Sequence, residues 1–188
     1  VFKFEKTRFA LSLRPEQRIG SEKAWERAEE ILESILITQG IEYERESGEG
    51  AFYGPKIDVF VPDALGREWQ LGTVQLDFVQ PERFNLEYVS EDGGRKRPAM
   101  IHRAMLGSLE RFMGVLIEHL GGVFPVWLAP TQAVIIPIAD RHVAYAYEIH
   151  SEFVNSGMRI EVDDSSDRMN AKIRNAQLKK IPYMLIIG

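Results

Sequence analysis

Cysteine is absent from this sequence, which excludes disulfides, thiolate nucleophiles and thiolate metal sites within the chain. Any metal would have to be held by His, Asp or Glu. No apolar run approaches the roughly 20 residues of a membrane-spanning helix. The opening residues Val1-Phe2-Lys3-Phe4-Glu5-Lys6 carry no secretory pattern. A cytoplasmic chain without a membrane partner is expected. Basic residues do not dominate either, because 23 Lys and Arg stand against 28 Asp and Glu, a formal charge of −5. That excludes a generally basic nucleic-acid coat and leaves room for a local basic patch. What is present, 45 % hydrophobic and 27 % charged residues over 188 positions, suffices for one large or two small folded domains. Two are expected.

Residues 2–13, with Phe2, Phe4, Phe9, Leu11 and Leu13 separated by polar residues, read as a strand that Arg14-Pro15 stops. Ser21 is an N-cap for a helix whose apolar face runs from Ala24 and Trp25 to Leu36 and which ends at Gly40. Gly48-Glu49-Gly50-Ala51-Phe52-Tyr53-Gly54-Pro55-Lys56 then forms a sharply bent loop that approaches something closely. It is either a connecting turn with tucked aromatics or a substrate loop presenting Tyr53 and Lys56. Residues 57–61 and 68–78 are strands joined through a hairpin connection at 62–67. Strict alternation would send Gln70 and Gln75 to opposite faces unless a bulge intervenes. Gly72 would leave room for a close ligand, although polar side chains on a strand are usually its wet face. Residues 86–90 and 97–102 are expected as two more strands around a turn at 91–96 built on Asp92-Gly93-Gly94.

From Ser108 onward, Leu109, Phe112, Met113, Leu116, Ile117 and Leu120 recur at the spacing of a helix with one buried face, closed by Gly121-Gly122. Arg111 falls in its first turn, where a cation opposes the positive end of the helix dipole. A bound phosphate would explain it; pairing with Glu110, or simple solvation, is the alternative. Residues 124–130, with two prolines and no period, read as a boundary. Beyond it an apolar run at 133–138, a helix capped by Asp140, a strand at 158–162, a capping stretch at 164–166, a helix at 167–180 and a strand at 183–187 give β-α-β-α-β, a parallel α/β layer. Arg168, Lys172 and Lys179 share one side of the second helix, as a stripe for RNA phosphates or as a solvated surface.

The loop at 48–56, the strand Trp69-Gln70-Leu71-Gly72-Thr73-Val74-Gln75-Leu76-Asp77-Phe78 and the stretch Met100 to Arg111 together resemble the threonyl-tRNA synthetase family. The last is similar to motif 3 of class II synthetases, with Gly107 and Arg111 at its fixed points. Residues 125–130 are similar to the family's crossing into its anticodon-binding domain. The resemblance implies an α+β antiparallel sheet with helices, part of the class II catalytic core, over 1–124. An α/β anticodon-binding domain, incomplete, would follow at 125–188. It implies activation of threonine by ATP to threonyl-adenylate and transfer to tRNA(Thr), a threonine–tRNA ligase. Arg111 and Lys56 would be catalytic, with Gln70, Thr73 and Arg111 on ATP and Tyr53, Lys56 and Gln75 on threonine. His102 would be one of three protein ligands of Zn2+ and Mg2+ would sit on the phosphates. Arg174 and Lys180 would lie near the anticodon stem-loop, where Ser166 replaces an Asn frequent in the family.

The same resemblance implies that motif 1, motif 2, the editing region and two zinc ligands lie outside these 188 residues. It also implies a homodimeric parent enzyme. Competing readings are a prolyl or glycyl synthetase, against which His102 and the 48–56 loop argue, and a catalytically inactive synthetase-like tRNA-binding module.

Overall fold

In the computed structural model, which describes residues 2–4 and 6–188, the chain forms two units that divide between His119 and Leu120. The first contains β1 (Arg8–Ser12), α1 (Glu22–Thr38), β2 (Glu44–Glu46), β3 (Lys56–Pro62), β4 (Glu68–Asp77) and a short α2 (Val79–Arg83). A hairpin of β5 (Tyr88–Val89) and β6 (Arg95–Lys96), then β7 (Met100–Ala104) and α3 (Leu109–Leu120), complete it. Five strands form one sheet in the order β2-β1-β3-β4-β7, parallel only between β1 and β2.

Alternation gives this sheet two unlike faces. On one, Leu11 and Ile57 pack with Leu32 and Leu36 of α1, and Phe9 and Leu76 close the same cluster. Helix α1 forms here because Ser21 caps it, its hydroxyl accepting from Ala24 N at 3.3 Å, and because its apolar spacing matches 3.6 residues per turn. The other face carries Ser12, Lys56, Asp58, Thr73, Gln75 and His102, aligned by the register Ser12 to Lys56, Lys56 to Gln75, Asp58 to Thr73 and Gln75 to His102.

Several local expectations shift. The first strand covers only Arg8–Ser12; Phe2 and Phe4 instead meet the Phe112 ring edge-on, at centroid distances of 4.9 and 6.4 Å, and Glu5 lies outside the described residues. Arg95-Lys96, expected in a turn, pair with Tyr88-Val89, because the Ser90-to-Gly94 turn closes tightly through Ser90 N to Gly94 O at 2.8 Å. On α3, Phe112, Val115 and Leu116 are buried, whereas Leu109, Met113 and Ile117 are 63, 56 and 46 % exposed. The apolar stripe is wider than the surface that covers it within the described residues.

Asp63 organises the turn between β3 and β4. Its carboxylate accepts from Trp69 Nε1 at 3.0 Å, from the backbone N–H groups of Leu65 and Arg67 at 2.9 Å each, and from Arg67 Nε at 2.6 Å. Chiefly the Trp69 bond, opposed by burial and reinforced by Arg67 and Leu65, holds the Asp63 pKa at about 2. A depressed folded-state pKa contributes stability that is complete above the ordinary carboxyl range near about 4 and is lost as pH falls towards about 2. The melting temperature of the first unit is therefore expected to drop across that window, and Asp63→Asn to flatten this part of the curve. Superimposable acid titrations of the two proteins would rule the contribution out.

The second unit is a parallel sheet in the order β10-β8-β9, made of β8 (Ala133–Pro137), β9 (Ile160–Val162) and β10 (Tyr183–Ile187). Helices α4 (Val143–Asn155) and α5 (Met169–Leu178) cover opposite faces. Ala133 and Ile135 pack with Ala146 of α4, and Val134 and Ile136 with Ala176 of α5. Asp140 does not cap a helix: it opens a 3-10 turn, Asp140–His142, and α4 starts behind His142 with no side-chain cap. Nor does the 164–166 stretch cap α5. Ser165 turns back to Asp163, its N–H and hydroxyl donating to Oδ1 at 3.2 and 2.6 Å, and Arg168 takes the cap position.

Candidate active site

Six of the residues singled out in the sequence converge on the polar face of the first sheet, and a single irregularity is what brings Gln70 to join the others. Val59 lies opposite Gly72 and Phe60 opposite Gln70, so Leu71 is an extra residue in β4. The bulge resets the alternation and turns Gln70 to the side of Thr73 and Gln75. Gln70 Nε2 accordingly reaches Asp58 Oδ1 at 2.5 Å. Gly72 does not make room for a ligand: a Cβ there would stand 3.2 Å from Val59 Cβ, so the missing side chain serves strand pairing beside the bulge.

The 48–56 loop does approach something closely, namely its own sheet. A Cβ on Gly50 would lie 2.6 Å from Leu13 O, and one on Gly54 would overlap Leu76 O. Pro55 O accepts from Leu76 N at 3.1 Å, and Tyr53 O from Phe78 N at 3.4 Å. This seating delivers Tyr53 over the end of β4, where its hydroxyl donates to Gln75 Oε1. Gln75 Nε2 in turn donates to Thr73 Oγ1 at 3.1 Å. Burial, with the charges of Asp77 and Asp58 behind it and Lys56 opposing, pushes the Tyr53 phenol pKa up, so the phenol keeps its proton and remains a donor.

His102 stands beside Tyr53, ring centroids 6.0 Å apart, and its Nε2 is 2.8 Å from Oδ2 of Asp77. Asp77 is wholly buried, and its Oδ1 accepts from the N–H groups of Val79 and Gln80 at 2.8 and 3.0 Å. Burial alone would raise its pKa, but His102 and the Gln80 and Val79 N–H groups together outweigh it and lower the value. The carboxylate therefore accepts from the Nε2 side of the ring, which leaves Nδ1 as the ring nitrogen not engaged by Asp77.

Arg111 takes its place at the sheet edge, not on the polar face. Gly107 adopts a left-handed φ of +64°, and a Cβ there would come within 3.0 Å of Leu71 O, so the chain passes tightly along β4 where β7 has ended. Ser108 Oγ accepts from Arg111 N at 3.2 Å. The guanidinium donates to Gln70 O at 3.3 Å and lies 5.7 Å from the Trp69 ring. It shares a depression of about 380 Å³ with Arg67, Trp69 and Glu118. A backbone carbonyl and an indole face already hold this cation in the first helical turn, without Glu110.

A zinc site completed by these residues alone does not fit. Among the described residues no three His, Asp or Glu side chains converge, and His102 has committed one ring nitrogen to Asp77. In the second unit, Arg174 is exposed on α5. Lys180 follows the helix in a left-handed conformation, φ 55°, with its ammonium on Gly121 O. Lys172 leaves the expected basic stripe: it is 5 % exposed and its Nζ donates to Asp163 O at 2.9 Å.

Sequence reading missed Asp58 and Asp77 as members of the site. An aspartate inside the apolar run Ile57-Asp58-Val59-Phe60-Val61 was the available signal, because such a strand buries a charge only with partners.

Residues 5–120 match the family model of the tRNA synthetase class II core domain (G, H, P, S and T), and residues 132–188 that of an anticodon binding domain. A threonine–tRNA ligase of Borreliella afzelii is 54 % identical over 187 residues, covering 100 % of this chain and 32 % of that protein. This chain thus spans about a third of the length of such curated relatives. The structure of the RNA binding domain of a threonyl-tRNA synthetase from Cryptosporidium parvum superposes with a TM-score of 0.91 at 44 % identity, over 97 % of this chain and 46 % of that one. A Giardia lamblia prolyl-tRNA synthetase in complex with prolyl-adenylate shares the fold, with a TM-score of 0.56 at 20 % identity over 71 % of this chain and 30 % of that one.

Proposed function

Because the chain belongs to the class II tRNA synthetase family, and within it to the threonyl-tRNA synthetases, we propose that it carries part of the site that activates threonine and charges tRNA(Thr). Residues 1–124 would supply the catalytic part and 125–188 the anticodon-binding part, acting in the cytoplasm. The observation that carries this reading is the convergence of Tyr53, Lys56, Gln70, Thr73, Gln75 and His102 on one sheet face. The whole site, and a homodimeric enzyme, would require the remaining two thirds that the relatives possess.

A carboxylate oxygen of threonine attacks the α-phosphorus of MgATP; the new P–O bond forms in line as the bond to pyrophosphate breaks. A terminal ribose hydroxyl of tRNA then attacks the threonyl carbonyl and AMP departs. Both steps depend on holding the reacting atoms in line and on offsetting negative charge. Lys56, whose ammonium pairs with Asp58 and can still donate elsewhere, suits the carboxylate and the negative charge on the α-phosphate oxygens. Gln70 and Thr73 would meet the adenosine, and Tyr53 and Gln75 the amino acid. Arg111 would hold the phosphates from the β4 edge. His102 would offer Nδ1 as a single metal donor, the other donors coming from outside this chain. On tRNA, Arg174 is the freer cation, since Lys180 already serves Gly121 O.

Amino-acid-dependent exchange of pyrophosphate into ATP tests the reading. With zinc and magnesium present, and these 188 residues within a chain of the relatives' full length, exchange is expected to be strongest with threonine and to stay at background with valine and proline. Arg111→Ala is expected to lower it roughly 10²–10³-fold, the usual cost of removing one donor to developing charge. Exchange driven by proline would reject the threonyl assignment. A folded chain that exchanges with no amino acid yet binds tRNA would favour the second reading, a tRNA-binding module. That reading draws on the absence of a complete metal-donor set among the described residues.

A further inference from the structure

Among the described residues Asp58 is the carboxylate that touches both Lys56 and Gln70, the two ends of the proposed site. It is 1 % exposed in the middle of β3, where a carboxylate is tolerated only with partners. Its partners come from three strands. Lys56 Nζ on β3 forms an ion pair with Oδ2 at 2.7 Å, Ser12 Oγ on β1 donates to the same oxygen at 3.0 Å, and Gln70 Nε2 on β4 donates to Oδ1 at 2.5 Å. The ion pair leaves ammonium N–H groups of Lys56 able to donate elsewhere, and the Gln70 bond leaves its amide oxygen as an acceptor.

Held in this way, both side chains have given up rotamer freedom before any substrate arrives, so that entropy need not be lost on binding. The Leu71 bulge is what carries Gln70 to this carboxylate. We propose that Asp58 is a positioning residue: its two oxygens set the Lys56 ammonium and the Gln70 amide in one arrangement, so that a single buried group aligns the amino-acid and nucleotide ends of an aminoacyl-adenylate. The proposal rests on the roles given above to Lys56 and Gln70. Ser12 supplies the control, since it bonds the same carboxylate and neither substrate-facing group.

Side-chain NMR of the ¹⁵N-labelled 188-residue chain tests the arrangement without any turnover. The Lys56 ammonium signal, protected from exchange with water in the wild type, is expected to vanish in Asp58→Asn. The Gln70 side-chain amide pair should move in that variant, and both signals should persist in Ser12→Ala. A folded Asp58→Asn protein in which both signals are unchanged overturns the proposal. Should Asp58→Asn not fold, Lys56→Met decides, because releasing one partner of a shared carboxylate must shift the Gln70 amide signals; signals that stay in place refute the coupling.

A second arm titrates a non-hydrolysable threonyl-adenylate mimic with a sulfamoyl linkage. Asp58→Asn is expected to weaken its binding about tenfold, the scale of one well-placed hydrogen bond, and Ser12→Ala by less than about twofold. Equal affinity in wild type and Asp58→Asn overturns the positioning role. Absence of binding when the 188 residues stand within a chain of the relatives' full length counts against the site assignment itself, while the Lys56 and Gln70 signals still decide whether Asp58 holds them.

Discussion

Gly54→Ala is expected to destabilise the first unit by roughly 3 kcal/mol or more, at the upper end of what overpacking costs. The added Cβ would overlap the Leu76 carbonyl oxygen, which is backbone in the middle of a sheet and cannot rotate away as a side chain would. To admit it, the 48–56 loop must lift from β4, and the bonds from Leu76 N to Pro55 O and from Phe78 N to Tyr53 O would break. Tyr53 would leave Gln75 with them. Hydrogen exchange read by mass spectrometry separates this from a general loss of stability: amides of β3 and β4 should lose protection while those of Ala133–Pro137 keep theirs. Gly48→Ala is the contrast, since its Cβ would meet nothing within 4 Å and only its left-handed φ of +87° is strained, a cost of about 1 kcal/mol. If Gly54→Ala melts within about 0.5 kcal/mol of the wild type, the loop is not seated as described.

Asp77→Ala should cost a further large amount, on the order of 2–4 kcal/mol, because it strands three donors at once. The N–H groups of Val79 and Gln80 lose their acceptor at the start of α2, and His102 loses the carboxylate that sets its tautomer and ring angle. Asp77→Asn keeps an oxygen for the two N–H groups and should recover most of the stability while still disturbing His102. Urea denaturation gives the first comparison, and ¹⁵N chemical shifts of the His102 ring give the second. In the wild type the ring nitrogen facing Asp77 is expected to carry a proton. A ring whose shifts do not respond to either substitution would dissociate Asp77 from His102.

Much of the architecture could be read from local pattern. Helix α1 with its Ser21 cap, the left-handed glycines after α3 and the parallel second unit emerge as expected, because each depends on short-range spacing or on a single residue's conformational freedom. Where expectation and structure part, a distant partner intervenes. Arg95 and Lys96 become a strand because Tyr88 and Val89 lie within reach of a tight turn. Lys172 looks like a member of a basic stripe on a helical wheel, yet Asp163 O draws its ammonium into the interior. Arg111 looked unsupported in the first turn of its helix, and its support is a carbonyl 41 positions earlier in the chain.

The candidate site divides in the same way. Its residue types were legible: aromatics, a lysine, two glutamines and a histidine in three short stretches, all capable of binding a polar, charged substrate. Their meeting was not, because strand alternation alone places Gln70 away from Gln75. One extra residue at Leu71 reverses that, and whether a strand accommodates such a residue depends on the partner strand it must match, here Val59 and Phe60, not on its own sequence. Asp58 and Asp77 follow the same logic. A carboxylate is tolerated in the interior only where donors from other strands surround it, so the roles of these two aspartates exist only once β1, β3, β4 and β7 lie side by side.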